Sequence, residues 1–281
     1  MKLRLTVCLL ALLATVTPRA HAQASLHSHL FAEALSRQVD AAGRINFAGF
    51  KHDPSFAAFL AAIARHDPNQ FKLTLPADAT ADEKREAARF MHNARCAFWI
   101  NAYNALALKA IAAAYDGKLK SVRQLRDFAT RPIAEVAGKP RSLREIEETI
   151  LRKELKEPAA PFVLYRGVVG GPLLPTAPIS ASDFEDETEA AMTELFTRKA
   201  LIYRVDTIGR ILWLPDFLAP YEKDFKDGPL GLGRFLAPFF PHEREKRVIF
   251  GADEFEVKYW PTDTRLELPA EKPTAAKPKK K

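Results

Sequence analysis

A histidine, a cysteine and a tyrosine share one largely apolar stretch with Asn101 and Asn104, HNARCAFWINAYN at 92–104. His92 and Cys96 are four residues apart, which on an α-helix leaves them about 40° apart on one face. An imidazole beside a thiol is the nucleophile–base pair of acyl transfer, provided the thiol can ionise. Asn101 and Asn104 fall about 60° apart on the same helix, and Cys96 lies about 80° from Asn104. The rest of the circumference is Ala, Phe, Trp, Ile, Leu and Tyr, so this helix is predicted to be buried nearly all round. A buried amide left unpaired costs about 1–3 kcal/mol. Each asparagine must therefore hold something fixed, either a loop backbone or a ligand or catalytic group. Tyr103 stands between them and joins the candidate binding set.

Glu147 is the second candidate. In SLREIEETILRKEL (142–155), Leu143, Ile146, Ile150 and Leu151 define an apolar arc, and Glu147 falls inside it. Glu145 and Glu148 fall outside, where Glu148 can pair with Arg152 four residues on. A carboxylate on a packing face needs an Asn, Arg, Tyr or backbone partner, so Glu147 is either a hydrogen-bonded strut or a site carboxylate. Other motifs carry less. His27 and His29 flank one residue, a spacing suited to copper-type chelation, but no third ligand is in sight and no metal is expected. GVVGG at 167–171 and GPLGLG at 228–233 have the glycines of phosphate loops without the lysine, and read as turns. His52, His66 and His242 stand alone.

The elements that must position these residues change character along the chain. Helical periodicity covers 27–42, 54–65, about 82–114, 119–129 and 142–155. Ser142 with Glu145, and Ser182 with Glu185, have capping-box spacing, the latter opening a helix to about 198. The second half turns to short β-branched and aromatic runs: PFVLYRGVV, ALIYRVD, GRILWLP, RVIFGA and EFEVKYW. Hairpins are predicted at Asp206–Gly209 and near Ala252–Asp253. Helices first and a largely antiparallel sheet afterwards imply an α+β fold.

Residues 1–22 carry Lys2 and Arg4, an apolar run containing Cys8, and Ala20-His21-Ala22, the layout of a cleavable secretory signal. No segment reaches the roughly 18–20 apolar residues of a membrane span. The expectation is an exported chain, periplasmic or secreted, with one α+β domain at 23–267 and a Lys/Pro/Ala tail at 268–281 too polar to fold. Cleavage leaves Cys96 as the only cysteine, so no internal disulfide holds the fold. Of the formal +7, Lys2, Arg4 and Arg19 leave with the signal and the tail supplies +4, so the body is near neutral. That balance offers no basic face for nucleic acid, although the tail has the charge to touch an envelope component.

FWINAYNALAL, followed by VAGKPRSLREIEETILRKEL, resembles the "domain of unknown function 547" family, whose hallmark is a Trp-Ile-Asn-x-Tyr-Asn helix. The resemblance runs from about residue 29 to 260 and includes AAGRINFAGF. It implies a fold similar to papain-like or transglutaminase-like proteins in outline, with thiol-dependent acyl chemistry or binding of small peptides. After the glutamate helix, family members carry an arginine, a histidine and two cysteines. In EPAAPFVLYRGVVGGPLLP these positions hold Ala159, Pro161, Arg166 and Gly171.

Arginine is no base, and proline and glycine offer no side-chain chemistry. The resulting expectation is a non-catalytic binding or structural protein without cofactor, taking a small peptide-like ligand or an envelope component. Asn101, Tyr103, Asn104, Glu147 and Arg166 would frame the former site. The alternative is a thiol-dependent hydrolase or transferase acting on peptide-like or glutathione-like substrates through Cys96 and His92.

Overall fold

The computed structural model describes residues 27–41, 43–251 and 254–266. The signal segment, the lysine tail and the turn expected at Ala252–Asp253 lie outside them. Four helices lead the described residues: α1 (Ser28–Gln38), α2 (Phe47–Phe50), α3 (Pro54–Arg65) and α4 (Ala81–Ala114). Asp53 caps α3 by accepting from the Phe56 amide, and its carboxylate is gripped by the Arg37 guanidinium and the Gln38 amide. A short hairpin, β1 (Ala134–Val136) and β2 (Lys139–Arg141), turns at Ala137 and Gly138, both at positive φ as a two-residue hairpin turn requires. The same two amides donate to Ile63 O and Ala64 O, satisfying carbonyls at the end of α3.

The 34-residue α4 is the axis of the molecule. Thr80 and Glu83 start it with a reciprocal capping box that the sequence reading passed over. From Ala94 to Ala112 almost every side chain is buried, as the apolar circumference demands. Helix α5 (Glu145–Glu154) packs on it and is wound as a π-helix. Leu155 N donates to Ile150 O, five residues back, and Ser142 Oγ accepts from Glu145 N at its start. The expected helix at 142–155 is therefore present with a wider turn. It still buries Ile146, Ile150 and Leu151 together. Glu148 meets Arg144 rather than Arg152, whose partner is Asp224.

Beyond α5 come α6 (Ala160–Val163), α7 (Phe184–Thr197), α8 (Lys199–Ile202), β3 (Arg204–Asp206), β4 (Ile211–Pro215), a 3₁₀ segment at Asp216–Asp224, α9 (Pro229–Leu236), α10 (Glu243–Gly251) and β5 (Glu256–Trp260). Two apolar clusters result. One gathers α1, α3, α4 and α5; the other gathers α7, β4, α9 and α10 around Phe196, Tyr203 and Phe240. Helix α6 joins them, with Ala160 and Val163 in the first and Phe162 in the second.

The fold is α+β as expected, with four local corrections. The segment 119–129 holds one 3₁₀ turn at Val122–Gln124, because its backbone pairs sideways with the chain near Arg265. PFVLYRGVV is no strand: α6 interrupts it, and α4 takes its backbone groups. The helix expected from Ser182 opens at Phe184 without a side-chain cap, since Ser182 Oγ donates to Asp183 instead. Residues 247–251 of RVIFGA are the end of α10 rather than a strand, because the helix is set by the charged first turn upstream of the apolar run. The β3–β4 hairpin is present, with Asp206 accepting from the amides of Ile208 and Gly209. β5 instead joins β4 in parallel, Leu212 opposite Val257. The three-stranded sheet thus has one antiparallel and one parallel pairing, not a mostly antiparallel order.

Candidate functional site

Asn101 and Asn104 are buried, and both hold backbone. Asn101 Nδ2 donates to Ile179 O at 2.8 Å, and its Oδ1 accepts from Ile179 N at 2.9 Å. Asn104 Nδ2 donates to Val163 O at 3.3 Å, and its Oδ1 accepts from Tyr165 N at 2.7 Å. Each amide acts as a detached rung of sheet for a chain with no neighbouring strand. Together they pin the two ends of the loop that carries GVVGGP. Of the readings open in the sequence, backbone support is the one realised.

Inside that loop the glycines follow contact rather than ligand binding. Gly167 has φ +70, and a Cβ there would lie 2.3 Å from Ile111 Cδ1. Gly170 presses on the backbone of Asp263, to whose carbonyl its amide donates. GPLGLG, expected as a turn, begins α9, with Gly228 at φ +57 before it.

Arg166 and Glu147 meet across the first cluster. Arg166 Nη2 reaches Glu147 Oε1 at 2.5 Å and Nη1 reaches Oε2 at 3.1 Å, with side chains only 18% and 12% exposed. Tyr221 donates to Oε1 and Tyr103 donates to Oε2 at 3.4 Å. The guanidinium also lies 4.8 Å over the ring of Phe217. Burial works to raise the Glu147 pKa, but the charge and hydrogen bonds of Arg166, with the two phenols, outweigh it and leave it lowered. Burial and the neighbouring carboxylate push both phenols upward. The partner predicted for Glu147 is thus an arginine with two tyrosines, and the carboxylate is saturated. Three of the predicted binding residues, Tyr103, Glu147 and Arg166, are brought together around one carboxylate, with the Arg166 Nε left buried and unbonded.

The other candidate pair also meets. Cys96 Sγ lies 3.4 Å from His92 Nε2, and the same nitrogen lies 3.7 Å from Glu157 Oε2. Glu157 Oε1 accepts from Ala159 N at 2.9 Å. Cys96 is wholly buried, Glu157 nearly so, and His92 is 41% exposed. Burial, followed by the negative charge of Glu157, pushes the thiol well above its ordinary pKa, and burial raises the Glu157 carboxyl.

A nucleophile–base–orienter relay needs the imidazole to face thiol and carboxylate through different nitrogens. Here one nitrogen faces both, and the carboxylate stands beside the thiol it would have to activate. This is not the environment of an activated thiolate.

Glu157 also lines a cleft of about 370 Å³ with Lys153, Lys156, Pro158, Tyr221 and Phe225. Arg152 stands at its wall, stacked 4.8 Å over Tyr221 and paired to Asp224. Among the described residues, Lys153 and Lys156 have no carboxylate within ion-pair distance. Glu157 and Tyr221 are the site residues the sequence reading missed. Glu157 sat in a proline-flanked linker, and Tyr221 follows Pro220 in an aperiodic segment. His27 lines a small cavity of about 40 Å³ with His66.

Residues 87–195 match the family model described as "Protein of unknown function, DUF547". No curated protein and no solved structure matches the chain.

Proposed function

We propose, from the match of residues 87–195 to the DUF547 family model, that the chain is an exported, non-catalytic binding protein for a small anionic, peptide-like ligand. The observation that carries this reading is the state of the thiol. Cys96 is wholly buried against a carboxylate, while Arg166, at a position where the resemblance expects cysteine, is committed to Glu147. Nothing among these groups supplies a nucleophile. The cleft supplies a place to bind: its lining holds Lys153 and Lys156, which have no ion-pair partner among the described residues, beside Glu157 and the Arg152–Asp224 pair, with Tyr221 and Pro158 as apolar surface. Pockets of this size with a few convergent polar groups are the usual seats of small ligands. The layout of residues 1–22 supports export. No described helix is long and apolar enough to cross a membrane.

The thiol enzyme retains one observation in its favour, the 3.4 Å approach of Cys96 to His92. Alkylation of Cys96 by iodoacetamide between pH 5 and 9, with chelator present, separates the two readings. The expected result is slow labelling of the native chain and fast labelling after denaturation. Fast native labelling with an apparent pKa below the ~8.5 of a free thiol would establish the enzyme instead. Binding is tested by calorimetric titration of acidic di- and tripeptides. Exchange of Lys153 and Lys156 for glutamate should abolish the heat signal, and a signal unaffected by that exchange would move the ligand elsewhere.

A further inference from the structure

We propose that His92, Cys96 and Glu157 form a binding site for a divalent metal ion of the zinc class. The inference goes beyond the binding function above and does not depend on it. Three observations carry it. The donor set is one imidazole, one thiol and one carboxylate, each able to offer one ligand atom, and these atoms all lie within 4.8 Å of one another. Among the described residues no other His/Cys/Asp/Glu group does this. Nitrogen, sulfur and carboxylate oxygen together are the ligands a borderline ion such as Zn²⁺ takes.

The second observation is spacing. Zinc bonds of about 2.3 Å to sulfur and 2.0–2.2 Å to nitrogen and oxygen, at tetrahedral angles, set donor atoms about 3.4–3.6 Å apart. Here sulfur and nitrogen are separated by 3.4 Å, and nitrogen and oxygen by 3.7 Å. A sulfur–nitrogen contact of that length serves as a hydrogen bond in the metal-free chain and as a ligand edge once an ion is bound.

The third is support and access. His92 and Cys96 are one turn apart on the rigid α4, the relation by which helices present two ligands to one ion. Glu157 comes from a separate segment and is steadied by the Ala159 amide, the kind of outer contact that orients a ligating carboxylate. His92 is 41% exposed and Glu157 lines the cleft, so an ion has a way in. On binding, Cys96 exchanges its S–H bond for a metal–sulfur bond and the proton passes to solvent.

Cobalt(II) titration of the full-length, reduced chain tests the site. The expected result is one Co²⁺ per chain with a thiolate-to-cobalt charge-transfer band in the near ultraviolet and visible bands of tetrahedral intensity. About one proton should be released per ion, and Zn²⁺ should displace the cobalt. Cys96→Ser should remove the charge-transfer band. His92→Ala and Glu157→Gln should each weaken Co²⁺ binding at least about 100-fold. A His27→Ala/His29→Ala variant should keep the full spectrum. The proposal is overturned if no charge-transfer band develops, if the band survives Cys96→Ser, or if affinity is indifferent to His92→Ala and Glu157→Gln.

Discussion

Glu147 and Glu157 lie ten residues apart, one within α5 and one just beyond it, and both carboxylates face α4. Their surroundings are opposite. Glu147 has an arginine fork and two phenols, a full set of donors. Glu157 has one backbone amide, with an imidazole at 3.7 Å and a neutral thiol, and it borders about 370 Å³ of open space. Buried polar groups that meet every demand on one another act as struts, whereas a half-satisfied set is costly unless something else completes it. The difference teaches where function can reside. Saturation of its carboxylate removes Glu147 from the list of groups that can grip a ligand, Arg166 keeping only a buried Nε unbonded beside it, and the open cleft puts the Glu157 cluster on it.

The sharpest way to break the comparison is to remove half the strut. Arg166→Ala leaves a buried carboxylate without its counter-charge and is expected to cost about 3–5 kcal/mol in urea unfolding. The paired change Glu147→Leu with Arg166→Met removes both charges and should recover most of that loss. A single-mutant cost below about 1 kcal/mol would mean the pair is solvated like a surface bridge, and the contrast with Glu157 would disappear.

Asn104→Ala comes next. It strands the Tyr165 amide and the Val163 carbonyl in the core, so about 1–3 kcal/mol is expected, with hydrogen exchange at Tyr165 accelerated. Acidification should give a smaller, graded effect. The folded-state pKa of Glu147 is lowered from 4.5, so its ionisation adds stability that is present above the unfolded pKa. That stability is lost as pH falls through the folded value. The stability gap between the wild type and Glu147→Gln should therefore stay constant from neutral pH to about pH 5 and narrow below about 4.5. A gap that widened on acidification would contradict the lowered pKa.

How much of this was legible follows from which signals are local. A charge inside an apolar arc and two amides on an apolar helix are anomalies of pattern, so Glu147, Asn101 and Asn104 stood out without any structure. Their partners did not, because Arg166, Tyr221 and Ile179 are brought near by tertiary packing. The π-winding of α5 was invisible, since Ile146 and Ile150 share a face at either helical pitch. RVIFGA looked like a strand because its helix depends on Glu243 and Glu245 upstream, the latter held by Tyr203. PFVLYRGVV looked like one because its backbone partners are side chains of α4, which no strand template contains. The His92–Cys96 approach was legible from four-residue spacing, but Glu157, which changes its meaning from nucleophile–base pair to ligand set, was not.

The smallest expected effect separates the two clusters most cleanly. His92 touches Cys96 and Glu157 only through long contacts and is 41% exposed. If the cluster were a second strut, His92→Ala would cost at least about 1 kcal/mol through lost hydrogen bonds. If it is an incomplete ligand set, the change in chelated protein should fall within about ±0.5 kcal/mol, as for an ordinary surface position. With Zn²⁺ present the wild type should gain thermal stability that grows with metal concentration, because an ion that binds only the folded state stabilises by mass action. His92→Ala should lose that gain. A variant neutral without metal and deficient with it is the signature of a ligand, and no structural role for His92 produces both halves of that result.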